Sequence, residues 1–401
     1  MAEPGRQETS GRSGLDLWAA AARGLTVLVV AAMLGLLTYE TLHPVIAVEP
    51  IPSTRAMTDL GLTPEVAAQH LRDGLATIAA GADGVNRPNL SLSMQKPDMT
   101  LPGVGISIEA VATYLRSVLH IDTVREVSGD FTEGNGHVWL RVRVDGELVY
   151  QSPPGGVDPA HAPQELDLGA MMVAREITPY LYAAYLHHIH DPSETDTLRA
   201  IVTGRRADAT DIAAAERLWG QIAAEKFDSG TAMAHYMTAG RLYQATGSTK
   251  ELASLQNYIG QVHYQTGAFD QARGAYQLAI DGDPSRETAA IAWLNMGDIR
   301  QYQDNDAASA LAAYQNALAI DPHLRFAHDA EGRVQEALGR YDHAADSYRK
   351  SIDDYPGDEQ SYVHLAQLIA EHPDAFTDPQ ALLHSVSVMA SRVEVTCIGA
   401  P

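Results

Sequence analysis

Hydrophobic positions along this chain change their spacing twice. From Trp18 to Tyr39 they form a block of 22 residues with one charge, Arg23. About 20 apolar residues span a bilayer core, so the block predicts a membrane helix over 17–40. The polar, unpatterned residues 1–16 before it read as a disordered tail. The spacing then becomes mixed. Thr63, Pro64 and Glu65 give a helix start with a cap, a first-turn proline and an early acid. Val66, Ala67, Leu71, Leu75 and Ile78 follow on one face, and residues 81–84 end the helix. Leu90, Leu92 and Met94 alternate with serines and predict a strand. Residues 102–105 form a turn, and Ser107 caps a helix to about Leu119. A strand over 124–132 turns at Gly134, Asn135 and Gly136. Val138, Leu140, Val142 and Val144 alternate with Trp139, Arg141 and Arg143. Asp145 and Gly146 then make a two-residue hairpin turn to a return strand over 147–151. Residues 152–163 are a Pro/Gly loop. A helix runs from Gln164 to about Leu186, with Pro179 bending it. Residues 43–51 suit a strand or a tether. Together, 41–190 predict a small α+β domain with helices on one face of a mixed or antiparallel sheet.

Beyond residue 205 the period is that of helices, and it repeats. One copy carries Gly260, Ala272, Tyr276, Ala279 and Pro284. The next carries Trp293, Gly297, Ala310, Tyr314, Ala317 and Pro322. The third carries Gly332, Ala344, Tyr348, Ser351 and Pro356. Pro322 and Pro356 are 34 residues apart (356 − 322). Gly or Ala lets two helices approach closely, each Tyr is expected to fill the space between one pair and the next, and each Pro stops a second helix. Gly267 and Gly339 provide the turn inside a pair. Pro284 to Pro322 is 38 residues, four more than the period. Three extra residues fall in 285–290 and one in 301–306, where the turn glycine is missing. That predicts a longer first helix and a looser turn in the second copy. Residues 208–243 read as a divergent leading pair containing Trp219, Gly220, Ala239 and Gly240. Tyr362, Leu365 and Ala366 begin a further pair, completed by a helix over 380–392 and a short tail over 393–401.

These residues resemble the tetratricopeptide-repeat (TPR) pattern over roughly 211–371. The resemblance implies stacked helix pairs over 205–392, since one pair cannot bury its own apolar face. The whole chain then looks like a membrane-anchored bacterial TPR protein with an α+β module between anchor and repeats. The module has the shape of secretin-N, BON or POTRA domains, and no motif chooses among them. In TPR proteins the first helices line a groove for peptides. Carried onto this chain, the groove positions are Asn257, Gln261, Tyr264 and Gln265; Leu294, Asp298, Gln301 and Tyr302; and Asp329, Arg333 and Glu336. Amides and phenols there suit an extended peptide backbone. The carboxylate-gripping TPR type needs several Lys, Arg and Asn, for which only Asn257 and Arg333 qualify, so that ligand class is disfavoured. The alternative is that these polar residues simply face water.

Charge and chemistry narrow the reading further. The net charge is −23, which argues against nucleic acid, because phosphate binding needs clustered cations. The lone Cys397 rules out an internal disulfide framework and a cysteine-rich zinc site. His187, His188 and His190 form the densest metal-capable cluster, but they end a helix, where cations suit the dipole, and no further ligand is evident. Gly103 and Gly105 lack the remainder of a phosphate loop. No catalytic residue, cofactor or metal is therefore expected. The expected function is a non-enzymatic scaffold that binds a protein partner through the groove. The rival is an accessory or regulatory subunit of a membrane-associated enzyme system, or an enzyme with a site in the α+β domain. Arg6, Arg12 and Arg23 before the apolar block, against Glu40 and Glu49 after it, place the N-terminus in the cytoplasm and the bulk in the periplasm, on a single-pass anchor. A cleaved signal peptide, ending near Val45, Ile46 and Ala47, and a soluble helix are the alternatives. A reporter fused after Pro401 should be active only if it works outside the cytoplasm; activity of a cytoplasm-only reporter there would reverse this topology.

Overall fold

The structure, a computed structural model, describes residues 45–82, 91–92, 124–204, 207–283 and 286–398. The expected tail, membrane helix, 102–105 turn, 107–119 helix and Pro284 lie outside those residues. Among the described residues no helix is long and apolar enough to cross a membrane. The chain divides into two compact units between Glu194 and Thr195.

The first unit is built on a sheet of β1 (Val45–Val48), β2 (Ser91–Leu92), β3 (Val124–Gly134), β4 (His137–Val144) and β5 (Glu147–Gln151), in the order β2-β1-β3-β4-β5. β1 pairs in parallel with β2 and β3, while β3, β4 and β5 run antiparallel, so the sheet is mixed. Both hairpin turns have left-handed backbone at two residues: Asn135 and Gly136 at φ 52° and 75°, Asp145 and Gly146 at 51° and 81°. That geometry matches the twist of the strands it joins. The register sets Phe131 opposite Leu140 and Val127 opposite Val144, which puts Val138, Leu140, Val142 and Val144 on one buried face. Helix α1 (Arg55–Asp59) was not anticipated; its Met57 is fully buried. Helices α2 (Pro64–Gly81) and α3 (Ala162–Ile177) contribute Leu71, Leu75, Leu166, Ala170 and Val173 to the core formed with that face. Val66 is exposed, contrary to expectation. At about 100° per residue it turns away from the stripe of Ala67, Ala68, Leu71, Leu75 and Ile78. The helix expected through Pro179 does not bend but breaks. Thr178, at φ −136° and ψ 66°, separates α3 from α4 (Pro179–His188), because the proline ring excludes the helical conformation from the residue before it.

The second unit begins within α5 (Glu194–Thr203). Among the described residues it contains five successive helix pairs: α6 (Ala209–Glu225) with α7 (Ser229–Thr246), α8 (Thr249–Gln265) with α9 (Phe269–Gly282), α10 (Glu287–Tyr302) with α11 (Ala307–Ile320), α12 (Ala327–Ala337) with α13 (Tyr341–Asp354), and α14 (Glu359–Glu371) with α15 (Pro379–Ile398). The paired-helix repeat expected of a TPR array is therefore present. Each of the first four pairs closes the same way. A tyrosine ring of the second helix sits against a glycine of the first: Tyr236 on Gly220, Tyr276 on Gly260, Tyr314 on Gly297, Tyr348 on Gly332. A Cβ on any of these glycines would overlap the ring. The tyrosines thus seal the crossing inside a pair, because only a residue without a side chain leaves room for a ring there. They also pack against the next pair as expected: Tyr236 lies 6.0 Å from Tyr258, Tyr348 5.5 Å from His364, and Tyr276 and Tyr314 cluster with Met296 and Val334 respectively.

The irregular copy explains itself at its turn. Glycine and tyrosine are 16 residues apart in three pairs and 17 in the Gly297 pair (314 − 297). The turn residue with positive φ is Phe227, Gly267 and Gly339 in those three pairs, seven residues after the glycine, and Asn305, eight after it, in the fourth. The extra residue is absorbed before Asn305, whose short polar side chain tolerates the left-handed region. The first helix α10 is no longer than α8; at 16 residues against 17 and 11, it is α12 that is short. The C-terminal helix α15 runs on to Ile398, so the segment from Val393 is helix and not tail.

Ala310 is fully buried against Tyr314 and Val334. Gln315, on the same helix, donates to Glu331 Oε1 at 3.3 Å and cannot serve as a neutral position. Gly297→Ala and Ala310→Leu should each cost about 1–3 kcal/mol by overpacking the crossing, whereas Asn316→Gln on the exposed side of α11 should stay within about 0.5 kcal/mol. Thermal denaturation of the three variants checks this, and equal shifts would contradict the packing.

Candidate partner-binding groove

The first helices touch one another in succession, α6 to α8, α8 to α10 and α12 to α14. Between α10 and α12 the link is the side-chain pair of Arg333 and Tyr302, and the outward residues of these helices make up the wall. Successive repeats are also tied by side chains at a constant separation. Asn257 Nδ2 donates to the Thr288 carbonyl at 2.8 Å, Arg273 to Asp304 at 2.5 Å, and Arg333 to the Tyr302 hydroxyl, each across 31 residues. The repeat period therefore fixes which groove residues are free and which hold the stack.

Asp329 is buried, at 6 % exposure. Its Oδ1 accepts from His364 at 2.7 Å and from Ser361 at 3.3 Å. Arg333 Nε stands 3.1 Å from Asp329 Oδ2 as an ion pair, out of line for a hydrogen bond. The Arg333 guanidinium also lies 5.6 Å from the centre of the Tyr302 ring. Tyr302, Arg333, Asp329 and His364 thus run as one chain of contacts across α10, α12 and α14. Asp298 Oδ1 accepts from the Tyr314 hydroxyl at 2.7 Å, and the Gln301 amide lies 2.8 Å from the same hydroxyl oxygen. Glu336 accepts from Tyr348 at 2.9 Å. The tyrosines that seal the helix crossings therefore reach through to the wall and orient its acceptors.

The structure sorts the expected groove residues accordingly. Gln261 and Gln265 are exposed, and Tyr302 is 45 % exposed. Tyr264 is partly buried, edge-on to Phe269 at 5.6 Å. Asn257, Asp298, Gln301, Asp329, Arg333 and Glu336 are engaged in the contacts above. Leu294 packs into the apolar cluster of Tyr314, Val334 and Ala330, because its slot falls where the next pair stacks. His364 was missed. It sits in the least regular copy, and its role depends on Asp329 one repeat earlier, which no local pattern shows. At the other candidate cluster, His187 pairs with Glu194 at 2.9 Å, and His190 takes left-handed backbone after the helix end at φ 55°.

Burial dominates the electrostatics of the wall. It pushes the Tyr314 and Tyr348 hydroxyls up, with the carboxylates of Asp298 and Glu336 adding to the effect. It also raises the Tyr302 hydroxyl. Burial raises the Asp298 carboxyl above its ordinary 3.8, opposed by the Tyr314 hydrogen bond and the Arg333 charge. A wall of this kind offers hydrogen-bonding groups and ring faces, with Arg333 engaged by Asp329 and Tyr302.

No family model and no curated protein matches the chain. Among solved structures it is similar to the crystal structure of MamA (18 % identity, 46 % of this chain, 90 % of that one, TM-score 0.33). It is also similar to PilF of Pseudomonas aeruginosa (16 %, 56 % and 93 %, TM-score 0.43) and to the APC/C hetero-tetramer Cut9–Hcn1 (16 %, 56 % and 45 %, TM-score 0.42). At these values the likenesses transfer no function to this chain.

The raised Asp298 carboxyl sets a pH dependence. A group whose pKa is raised by folding adds stability below its ordinary value, and that stability is lost as pH rises through the raised value. Asp298→Asn keeps an oxygen to accept from Tyr314 and removes the buried charge. Its melting temperature should exceed that of the parent at neutral pH, and the difference should fade below pH 3.8. A lower melting temperature at neutral pH would mean that the Arg333 field outweighs burial.

Proposed function

We propose that the protein is a non-enzymatic, membrane-anchored scaffold whose first-helix wall binds an extended peptide segment of a partner protein outside the cytoplasm. The observation that carries this reading is the division of labour on the wall. Tyr302 presents nearly half its surface to solvent beside the exposed amides of the preceding repeat, Gln261 and Gln265. Behind it, Arg333, Asp329 and His364 hold Tyr302 in place. A preorganised aromatic loses little entropy when it binds, and amides match the donors and acceptors of a peptide backbone. Interface energy concentrates in such rings and in Arg.

Attachment to the membrane rests on the apolar block at 17–40 and on the arginines before it. With one end held, the repeats would keep a captured partner close to the bilayer. A protein partner, and not nucleic acid, suits the chain's net charge of −23.

With a partner isolated by pull-down on the full chain, Tyr302→Ala should weaken binding by about 1–2 kcal/mol. Arg333→Ala should weaken it similarly, and the two losses should not add, because Arg333 acts partly by holding Tyr302. Arg349→Ala on the second-helix side, where Arg349 pairs with Asp346 at 3.0 Å, should be silent. Calorimetry reads the parent, the three single variants and the Tyr302→Ala/Arg333→Ala double variant. Unchanged affinity in the groove variants, with loss on mutating Trp139 or Arg141, would move the binding function to the α+β unit.

A further inference from the structure

We propose that Glu336, Glu371 and His372 form a binding site for a divalent transition-metal cation, zinc by its ligand chemistry, that ties the last turn of α12 to the last turn of α14. One ligand atom from each of the three side chains lies within 4.8 Å of the other two. Zinc takes nitrogen and carboxylate oxygen at about 2.0–2.2 Å, which sets neighbouring ligands roughly 3 Å apart. The three side chains reach that spacing by rotating toward a common centre. Glu371 is exposed and free to turn, while Glu336 and His372 are partly buried.

The two less mobile ligands are held from outside the cluster. The Tyr348 hydroxyl donates to Glu336 Oε2 at 2.9 Å, which leaves the second carboxylate oxygen for a metal. The His372 ring stacks on Tyr341, centres 3.9 Å apart and planes within 16°, which fixes the orientation of its nitrogens. Outer contacts of this kind orient metal ligands and raise affinity.

The backbone field points the same way. α12 ends at Ala337 and α14 at Glu371, so two helix C-termini, each carrying negative partial charge, converge on the cluster. Two carboxylates beside two such termini repel one another without a cation and are neutralised by one. Three protein ligands leave a fourth position open for water or for a donor from a bound partner. Glu336 lies one repeat from the adjacent pair Glu371 and His372, which is why no local sequence spacing announces the site.

Titration of the full chain with Zn²⁺ alone, followed by calorimetry, tests the site. One tight equivalent is expected. Glu371→Gln and His372→Gln should each weaken it about tenfold or more, while Glu359→Gln, in the first turn of the same helix, should leave it unchanged. Zn²⁺ should raise the melting temperature of the parent but not of the two ligand variants, whose metal-free melting should match the parent. Saturable binding that survives both substitutions would place zinc among other histidines and overturn the proposal, as would the lack of any saturable binding.

Discussion

The stacking of one tyrosine on one glycine sets most of what the helical unit can do. The ring needs a surface without a side chain, and glycine inside a helix costs roughly 0.5–1 kcal/mol relative to alanine. The chain accepts that cost four times, at Gly220, Gly260, Gly297 and Gly332. In return each pair closes on a fully enclosed ring whose hydroxyl sits at a fixed depth. In two pairs that hydroxyl emerges at the wall, where it orders Asp298, Gln301 and Glu336. The same contact that packs the core therefore positions the acceptors of the candidate groove.

The ties between repeats follow from this regularity. Once each pair has one geometry, the same separation along the chain brings side chains together at each junction. Polar groups at those junctions are spent on stacking: Asn257 on Thr288, Arg273 on Asp304, Arg333 on Tyr302. What remains free is a smaller set, Gln261 and Gln265, beside the exposed part of the Tyr302 ring.

The α+β unit answers to a different constraint. Its two hairpins need positive φ at both turn residues, which fixes register, and the register decides that valines and Leu140 face the helices while Asp130, Arg141 and Arg143 pair on the sheet. Asp130 bridges both arginines, at 2.6 and 2.7 Å, and their hydrogen bonds hold its carboxyl below the usual range against the cost of burial.

Much of this was legible in the order of residues, and for physical reasons. Turn chemistry is local, so Asp145 with Gly146, and Thr63 with Pro64, mark a hairpin and a helix start without reference to the fold. Repetition is visible because Gly, Tyr and Pro recur at one period, which was enough to infer stacked pairs and the slots of a groove. What the tertiary structure decided is where each slot's side chain spends its bonding capacity. No periodicity shows that the tyrosines turn inward onto glycine, that Leu294 belongs to the core, that Asp329 is buried against His364, or that Glu336 meets Glu371 and His372. Those outcomes depend on contacts a full repeat apart, where the rotation of one helix pair on the next, and not the spacing of residues within a pair, determines which groups meet.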